Sequence, residues 1–388
     1  MRILHCLRAP VGGLFRHVLD LAEEQAAHGH DVGILAASTT EDRLTSAKFA
    51  AIAPKLRLGI ARIPINRQPG LSDLAAVRAV RAHAATLDLD VLHGHGAKGG
   101  AYARFAARRL SARGHHVKSF YTPHGGSLNF KPGSLEQRIL LMIEGGLESM
   151  TSGLIFESAY AARVYRSRVS AKGAPQRIIP NGLKPTDFTP AKPRPDATDL
   201  LFVGELRSIK GVDFLLKALA ELKFDHPVTA TIVGSGPDAE PLKKLASTLG
   251  LDNLVTFAGA LPVREAFGLG RIMVVPSLAE SFPYVVLEAA AAGLPLIATN
   301  VGGIPEIVAD TDTVLIEPGN AAGLASALRA TLGDAEAARG RAKRLRAKIE
   351  SRFTVAAMTG AVLDFYAETS PRPARLPSWE LKLQSHRQ

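Results

Sequence analysis

Two carboxylates, Glu280 and Glu288, stand eight positions apart in SLAESFPYVVLEAAAAGLPLIATNVGG, residues 277–303. Pro283 between them suits the first turn of a helix, where its missing N–H does no harm, and Gly293 suits the end of that helix. Such a first turn presents free N–H groups and a partial positive charge, a good seat for a phosphate. A carboxylate so close to a bound phosphate repels it, unless it accepts hydrogen bonds from hydroxyls. The two glutamates therefore read as gripping hydroxyls on either side of a diphosphate. Glycoside hydrolysis is the rival chemistry and needs two carboxyls about 5–9.5 Å apart. Eight helical positions span about 12 Å, too far for that geometry unless the loop folds back.

Other chemistry follows strand-like runs. Arg207 and Lys210, in FVGELRSIKGVDFLL, stand in a loop before a helix, where cations hold phosphate. Gly12 and Gly13, in APVGGLFRHV, let backbone approach a ligand, with helix N–H groups just behind. Gly234, in IVGSGP, closes another strand. His95, in HGHGAKGG, and His124, in YTPHGGSLNF, each end a strand candidate, and Gly125 and Gly126 leave room beside His124. There is no HExxH or HxxxH pattern, so a metal site is not expected. The Gly12–Gly13 turn is not GxGxxG, which speaks against a nicotinamide site.

The elements that position these residues alternate. Short apolar runs (RILHCL, DVGILAA, DVLHGHG, GLIFES, then LLFVGE, TATIVGSG, IMVVPS, PLIATN) are separated by amphipathic helical patterns such as 14–28 and 214–223. Continuous apolar strands alternating with helices imply parallel sheets buried on both faces. Two such series flank KPTDFTPAKPRPDATD, a proline-rich hinge candidate at 184–199. In open parallel sheets ligands bind beyond the carboxyl ends of the strands, where these residues lie.

The chain has 388 residues, 46% apolar and 21% charged, ordinary for a globular protein with a sizeable core. Its single cysteine, Cys6, rules out an intramolecular disulfide and suits a reducing compartment. The start, MRILHCLRAPVGG, reads as a strand rather than a secretory signal, and no apolar run approaches the ~18 residues of a membrane span. A cytoplasmic location is expected. Residues 1–190 hold 25 Lys+Arg against 14 Asp+Glu, which accounts for the whole net charge of +11. That asymmetry suggests an anionic partner. An anionic membrane surface touching the arginines of YARFAARRLSARGHHVK is one candidate. Nucleic acid is not favoured, since no such motif is present and aromatics are sparse among the basic clusters. The tail 370–388 is polar and proline-rich, with Trp379 and Leu381 as its docking candidates.

Taken together, GGLFRHVLDLAEEQAAHGHDV, YTPHG, IIPNGL, FVGELRSIKG, IVGSGP and ESFPYVVLEAAAAGLPLIATNVGGIPEIV resemble, in this order, the motif series of the family 4 retaining glycosyltransferases of GT-B fold. The resemblance covers about residues 1–368. It implies two doubly wound Rossmann-like α/β domains facing across a cleft. Residues 1–185 would bind acceptor, 186–352 would bind the nucleotide sugar, and 353–388 would hold a helix returning to the first domain plus a tail. It further implies transfer of a hexose from a UDP- or GDP-sugar to a glycan or lipid-linked acceptor, in polysaccharide or glycolipid synthesis, without an essential metal. Glu280 would accept hydrogen bonds from the donor sugar and Glu288 from the ribose. Lys210, with the amides of Gly12 and Gly13, would bind the diphosphate. Backbone amides from Phe282 through Pro283 and Tyr284 to Val285 would touch sugar or phosphate, and His124 would lie beside the sugar. Where the family often has arginine after the strand glycine, this chain has Glu205, and Arg207 is the candidate replacement. A sugar-nucleotide 2-epimerase of the same fold is the alternative.

Overall fold

The computed structural model describes residues 1–39, 43–125, 135–169 and 173–369. Gly126 and the tail with Trp379 and Leu381 lie outside the described residues. The first sheet contains β1 (Arg2–Leu7), β2 (Asp31–Ala37), β3 (Gly59–Ile63), β4 (Val91–His95), β5 (Lys118–Thr122), β6 (Gly153–Phe156) and β7 (Gln176–Ile178), ordered β3-β2-β1-β4-β5-β6-β7. The second contains β8 (Thr198–Val203), β9 (Ala230–Val233), β10 (Val255–Gly259), β11 (Gly270–Val275), β12 (Leu296–Thr299) and β13 (Val314–Ile316), ordered β10-β9-β8-β11-β12-β13. The described pairings are all parallel. Burial on both faces explains the unbroken apolar runs: Ile3 to Leu7, Val32 to Ala37 and Met273 to Val275 are buried residue after residue.

In each sheet the strand order reverses once, between β1 and β4 and between β8 and β11. At such a switch point the connecting loops leave in opposite directions and open a crevice at the strands' carboxyl ends. The Gly12 turn and His95 leave the first crevice. The loop carrying Lys210 and the loop carrying Glu280 leave the second. The strand order alone thus brings together residues far apart in the sequence.

After β13 the chain runs through helices Ala321–Gly333 and Ala335–Arg352, then crosses back. A single β-bridge joins Leu183 to Thr354, and the helix Val355–Glu368 lays Val355, Met358, Val362, Phe365 and Tyr366 against Ile3, Leu21, Phe120 and Ile155 of the first domain. No helix among the described residues is long and apolar enough to cross a membrane.

One sequence expectation needs correction. Arg104, counted among the arginines facing a lipid surface, is fully buried. Its guanidinium donates to Glu144 Oε1 at 2.7 Å, its Nε donates to the Gly100 carbonyl at 3.0 Å, and it stacks 4.1 Å from the centre of the Tyr121 ring. Arg108, Arg109 and Arg113 are exposed. A buried ion pair is weak evidence of net stabilisation, but losing one partner strands the other charge in the core. Arg104→Ala is expected to cost about 3–5 kcal/mol, read as a lower urea midpoint. An unchanged midpoint would contradict the burial of this pair.

Candidate active site

Two glycines shape the loop between β11 and the helix Tyr284–Ala291. Gly211, just after Lys210, has φ +67°, and a Cβ there would sit 2.0 Å from the Pro276 carbonyl oxygen. Gly302 has φ +60°, and its Cβ would meet the Glu280 carbonyl oxygen at 1.8 Å. Only glycine tolerates both the conformation and the approach. The loop is thereby clamped from two sides. Glu280 lies in this loop, outside the helix, so the helical rise does not describe its separation from Glu288.

Lys210 Nζ donates to Glu280 Oε1 at 2.6 Å, and Ser277 Oγ donates to the same oxygen at 2.7 Å. The Glu280 side chain is 9% exposed and that of Lys210 24%, so the pair is largely shielded from bulk water. Arg207 is not part of it: it is half exposed and lies 3.6 Å from Glu205, itself exposed. Gly234 has φ +148°, and a Cβ there would meet the Gly204 carbonyl oxygen at 1.8 Å, which packs the turn after β9 against the turn after β8.

Glu288, buried on the 284–291 helix, reaches across to the first domain. There the guanidinium of Arg16, from the helix Gly12–Ala27, pairs with Glu288 and also with Asp187 and with Asp20, the last at 3.2 Å. The same guanidinium covers the Tyr284 ring at 4.8 Å. Burial pushes the Glu288 carboxyl up, Arg16 opposes this, and Asp187 and Asp20 add to the rise. Arg16 itself feels burial pulling its pKa down but is raised on balance by Glu288, Asp20 and Asp187. Arg16 answers three acids; Lys184 adds its ammonium to Asp20 at 2.9 Å and its backbone N–H to Asp187 Oδ2 at 2.8 Å, and neither of these groups bonds Glu288. Glu288 therefore has acceptor capacity to spare. Gly13 stands against Tyr284, its notional Cβ 3.4 Å from that ring, and Gly12, with φ +62°, opens the same helix. Pro283 is the N-cap of the 284–291 helix, Val285 is partly buried, and the Phe282 carbonyl accepts from Asn181 Nδ2 at 2.9 Å.

His124 has φ +50°, uncommon for a side-chain-bearing residue. Its Nδ1 lies 2.6 Å from Glu157 Oε1, and Ser281 Oγ, from the second domain, donates to Glu157 Oε2 at 3.2 Å. Burial works to raise the Glu157 carboxyl, but His124, joined by His17 and Asn181, holds it below the usual carboxylate range. Around His124 pack His5, His17, His93 and His95, all fully buried. His17 Nδ1 contacts Asn181 Oδ1 at 2.9 Å, and Tyr366 bonds His93 Nδ1 at 2.6 Å. Two histidine triads bring one ring nitrogen each within 4.8 Å of one another. Most of these nitrogens are already spent on each other or on Glu157, Asn181, Gln25, Thr122 and Tyr366. The cluster is therefore a hydrogen-bonded one.

Reading the strand ends one by one singled out Lys210, Glu280 and His124 but passed over Glu157, although it directly follows the strand run GLIF. Arg16, Asp187 and Asn181 carried no signal, because their partners are distant in sequence. Glu306 is similar: its carboxylate accepts the N–H groups of Ala159 and Tyr160 at 2.8 and 2.7 Å, bridging the domains at the start of helix Ala159–Arg168.

Burial lowers His5 from 6.5 to about 4 and His17 from 6.5 to about 3, and lowers His93 and His95 as well. These groups stay neutral in the fold but charge in the unfolded chain below about pH 6.5. Their stability contribution is complete above that pH and is lost as pH falls towards the folded values. Each neutral histidine adds about 1.4 kcal/mol per pH unit to the slope. The melting temperature should drop steeply between pH 6.5 and about 4, and a flat profile across that window would contradict the buried cluster.

Two family models match the chain: Glycosyltransferase Family 4 over residues 11–187 and Glycosyl transferases group 1 over residues 197–334. A glycogen synthase of Mycobacterium tuberculosis is 29% identical across 95% of this chain and 94% of its own length. A D-inositol 3-phosphate glycosyltransferase of Geodermatophilus obscurus is 31% identical across 63% of this chain and 61% of its own. Among solved structures, Anabaena HepE in complex with UDP and glucose superposes with TM-score 0.79 at 20% identity, over 95% of this chain and all of that one. A sucrose-phosphate synthase from Thermosynechococcus elongatus gives TM-score 0.77 at 22% identity, over 95% of this chain and 99% of that one. The chain belongs to the family 4 glycosyltransferases and has their GT-B fold of two Rossmann-like domains.

Proposed function

We propose that this glycosyltransferase moves a hexose from a UDP- or GDP-sugar to a glycan or lipid-linked acceptor with retention of anomeric configuration. The observation that supports this most is the pairing of Lys210 with Glu280 in the crevice between β8 and β11, opposite the acid-rich Arg16–Glu288 junction. The difficult step is departure of the nucleoside diphosphate. Lys210 and the N-terminus of the 284–291 helix stabilise the charge that develops on it, without needing a resident metal. On donor binding Lys210 turns part of its charge from Glu280 to the phosphates, and Glu280 accepts from sugar hydroxyls. Glu288, with one guanidinium shared among three acids, accepts from the ribose. The acceptor hydroxyl attacks on the face the diphosphate leaves, and its proton passes to a phosphate oxygen. Peripheral attachment to the inner face of an anionic membrane belongs to the same reading, with Arg108, Arg109 and Arg113 as the exposed cations.

A 2-epimerase is the second reading, because Glu157 beside His124 supplies a carboxylate–imidazole pair in the first domain. Donor incubated without acceptor separates the two: an epimerase converts it, whereas a transferase only hydrolyses it slowly.

Glu288→Ala leaves Arg16 paired with Asp187 and Asp20, so the fold should hold while transfer falls. Lys210→Ala should lower kcat by about 100–1,000-fold, the loss expected for one charge-stabilising donor. Full transfer by both variants would refute the site. Thermal-shift screening of UDP- and GDP-sugars identifies the base, since a donor at about 100 Kd adds about 2.7 kcal/mol. A shift retained in Glu288→Ala would deny this residue its ribose contact.

A further inference from the structure

Behind His124 the imidazoles form a continuous chain. His124 Nε2 lies 3.1 Å from His95 Nδ1, His95 Nε2 lies 3.0 Å from His5 Nδ1, and His5 Nε2 lies 2.8 Å from the Oε1 of Gln25. At the other end His124 Nδ1 meets the Glu157 carboxylate at 2.6 Å. Both ends of the chain are acceptors. The four contacts need four protons, and three neutral imidazoles carry three.

The position of the fourth proton follows from the far end. With its oxygen facing His5, Gln25 accepts, so His5 donates from Nε2 and must accept at Nδ1. His95 therefore donates from Nε2 and accepts at Nδ1. His124 then donates from Nε2 to His95 and from Nδ1 to Glu157, so it carries both protons.

We propose that His124 is held as an imidazolium at the floor of the cleft, with Glu157 as its counter-ion and His95, His5 and Gln25 as positioning residues that keep the second proton on Nε2. Its role in catalysis rests on the glycosyltransferase reading: a fixed cation near the donor opposes the charge developing on the leaving diphosphate. Glu157 also accepts from Ser281, the neighbour of Glu280, which ties this cation to the donor-side loop.

The groups facing His124 are consistent with a single charge pair. His17 comes from the helix 12–27, His95 and His93 from β4, His5 from β1 and Glu157 from the end of β6, while Tyr284 of the second domain interacts with Glu157. The other four histidines are lowered and Tyr284 is raised, mainly by burial, so Glu157 alone of these is charged near neutrality. Were Gln25 turned to present its NH₂ group, the amide would supply the missing proton. Every link would then reverse, and His124 Nε2 would be a bare lone pair. One buried amide thus sets the charge of a histidine at the cleft.

Two-bond ¹H–¹⁵N correlation of the histidine rings, on the full chain without ligand, tests this directly. At about pH 7, where an unperturbed imidazole is mostly neutral, both His124 nitrogens should be protonated. Glu157→Gln and Gln25→Leu should each abolish that signature, and should move the alkaline fall of kcat/KM to lower pH. If Glu157→Gln fails to fold, Gln25→Leu carries the test. A bare Nε2 in the wild type, or an unshifted alkaline limb in both variants, overturns the proposal. The spectrum needs no sugar donor, so the two readings fail separately. An imidazolium in a chain that transfers no sugar refutes the proposed reaction and leaves this assignment standing. A neutral His124 in an active transferase does the reverse.

Discussion

A single guanidinium, that of Arg16, lies among three carboxylates drawn from its own helix, from the segment joining the domains and from the second domain. In a partly buried site a charge cannot be left to water, so each acid must find a partner or shift its titration. Burial, with Asp187 and Asp20 adding to it, raises Glu288 despite the opposing Arg16. The arrangement closes one end of the cleft while leaving an acceptor with unspent capacity where the first domain meets the 284–291 helix. Relief by hydroxyl donors is chemically natural there; an additional anion is not.

The same low-dielectric logic governs the other end. Five histidines sit within or beside the carboxyl ends of β1, β4 and β5, and four of them are wholly enclosed. Neutral imidazole suits such a place because it donates and accepts at once and can be satisfied without carrying charge. The contacts of His17 through Asn181 to the Phe282 carbonyl, and of Glu157 to Ser281, join this cluster to the donor-side loop. The two ends of the cleft are thus joined by polar bonds between domains, and Glu306, accepting from the first N–H groups of the 159–168 helix, adds a third junction.

The fold was legible because its grammar is local. Strands buried on both faces print as unbroken apolar runs, and the helices between them print their period. Lys210 and Glu280 were legible too, since each lies just past a strand's carboxyl end at the switch point. Arg16 was not: its partner Glu288 is 272 positions away, and no spacing rule connects them. His5, His17 and His93 carried no signal of their own, because only the juxtaposition of β1, β4 and the helix 12–27 brings them together. Arg104 was misread for a plainer reason. Alanines line both sides of its helix, so periodicity does not say which face is the outer one.

The return of the last helix makes the first domain a non-contiguous body. Ile3, Phe120 and Ile155 share their cover with Val362 and Phe365, and His93 takes a bond from Tyr366. Roughly 190 residues separate the end of β7 from the end of that helix, about 10–40 s of synthesis at ribosomal speeds. Throughout that interval the nascent amino-terminal half carries a bare apolar face and an unsatisfied imidazole. A chaperone, or the partly made sheet's own reluctance to consolidate, has to hold it until the carboxyl end emerges.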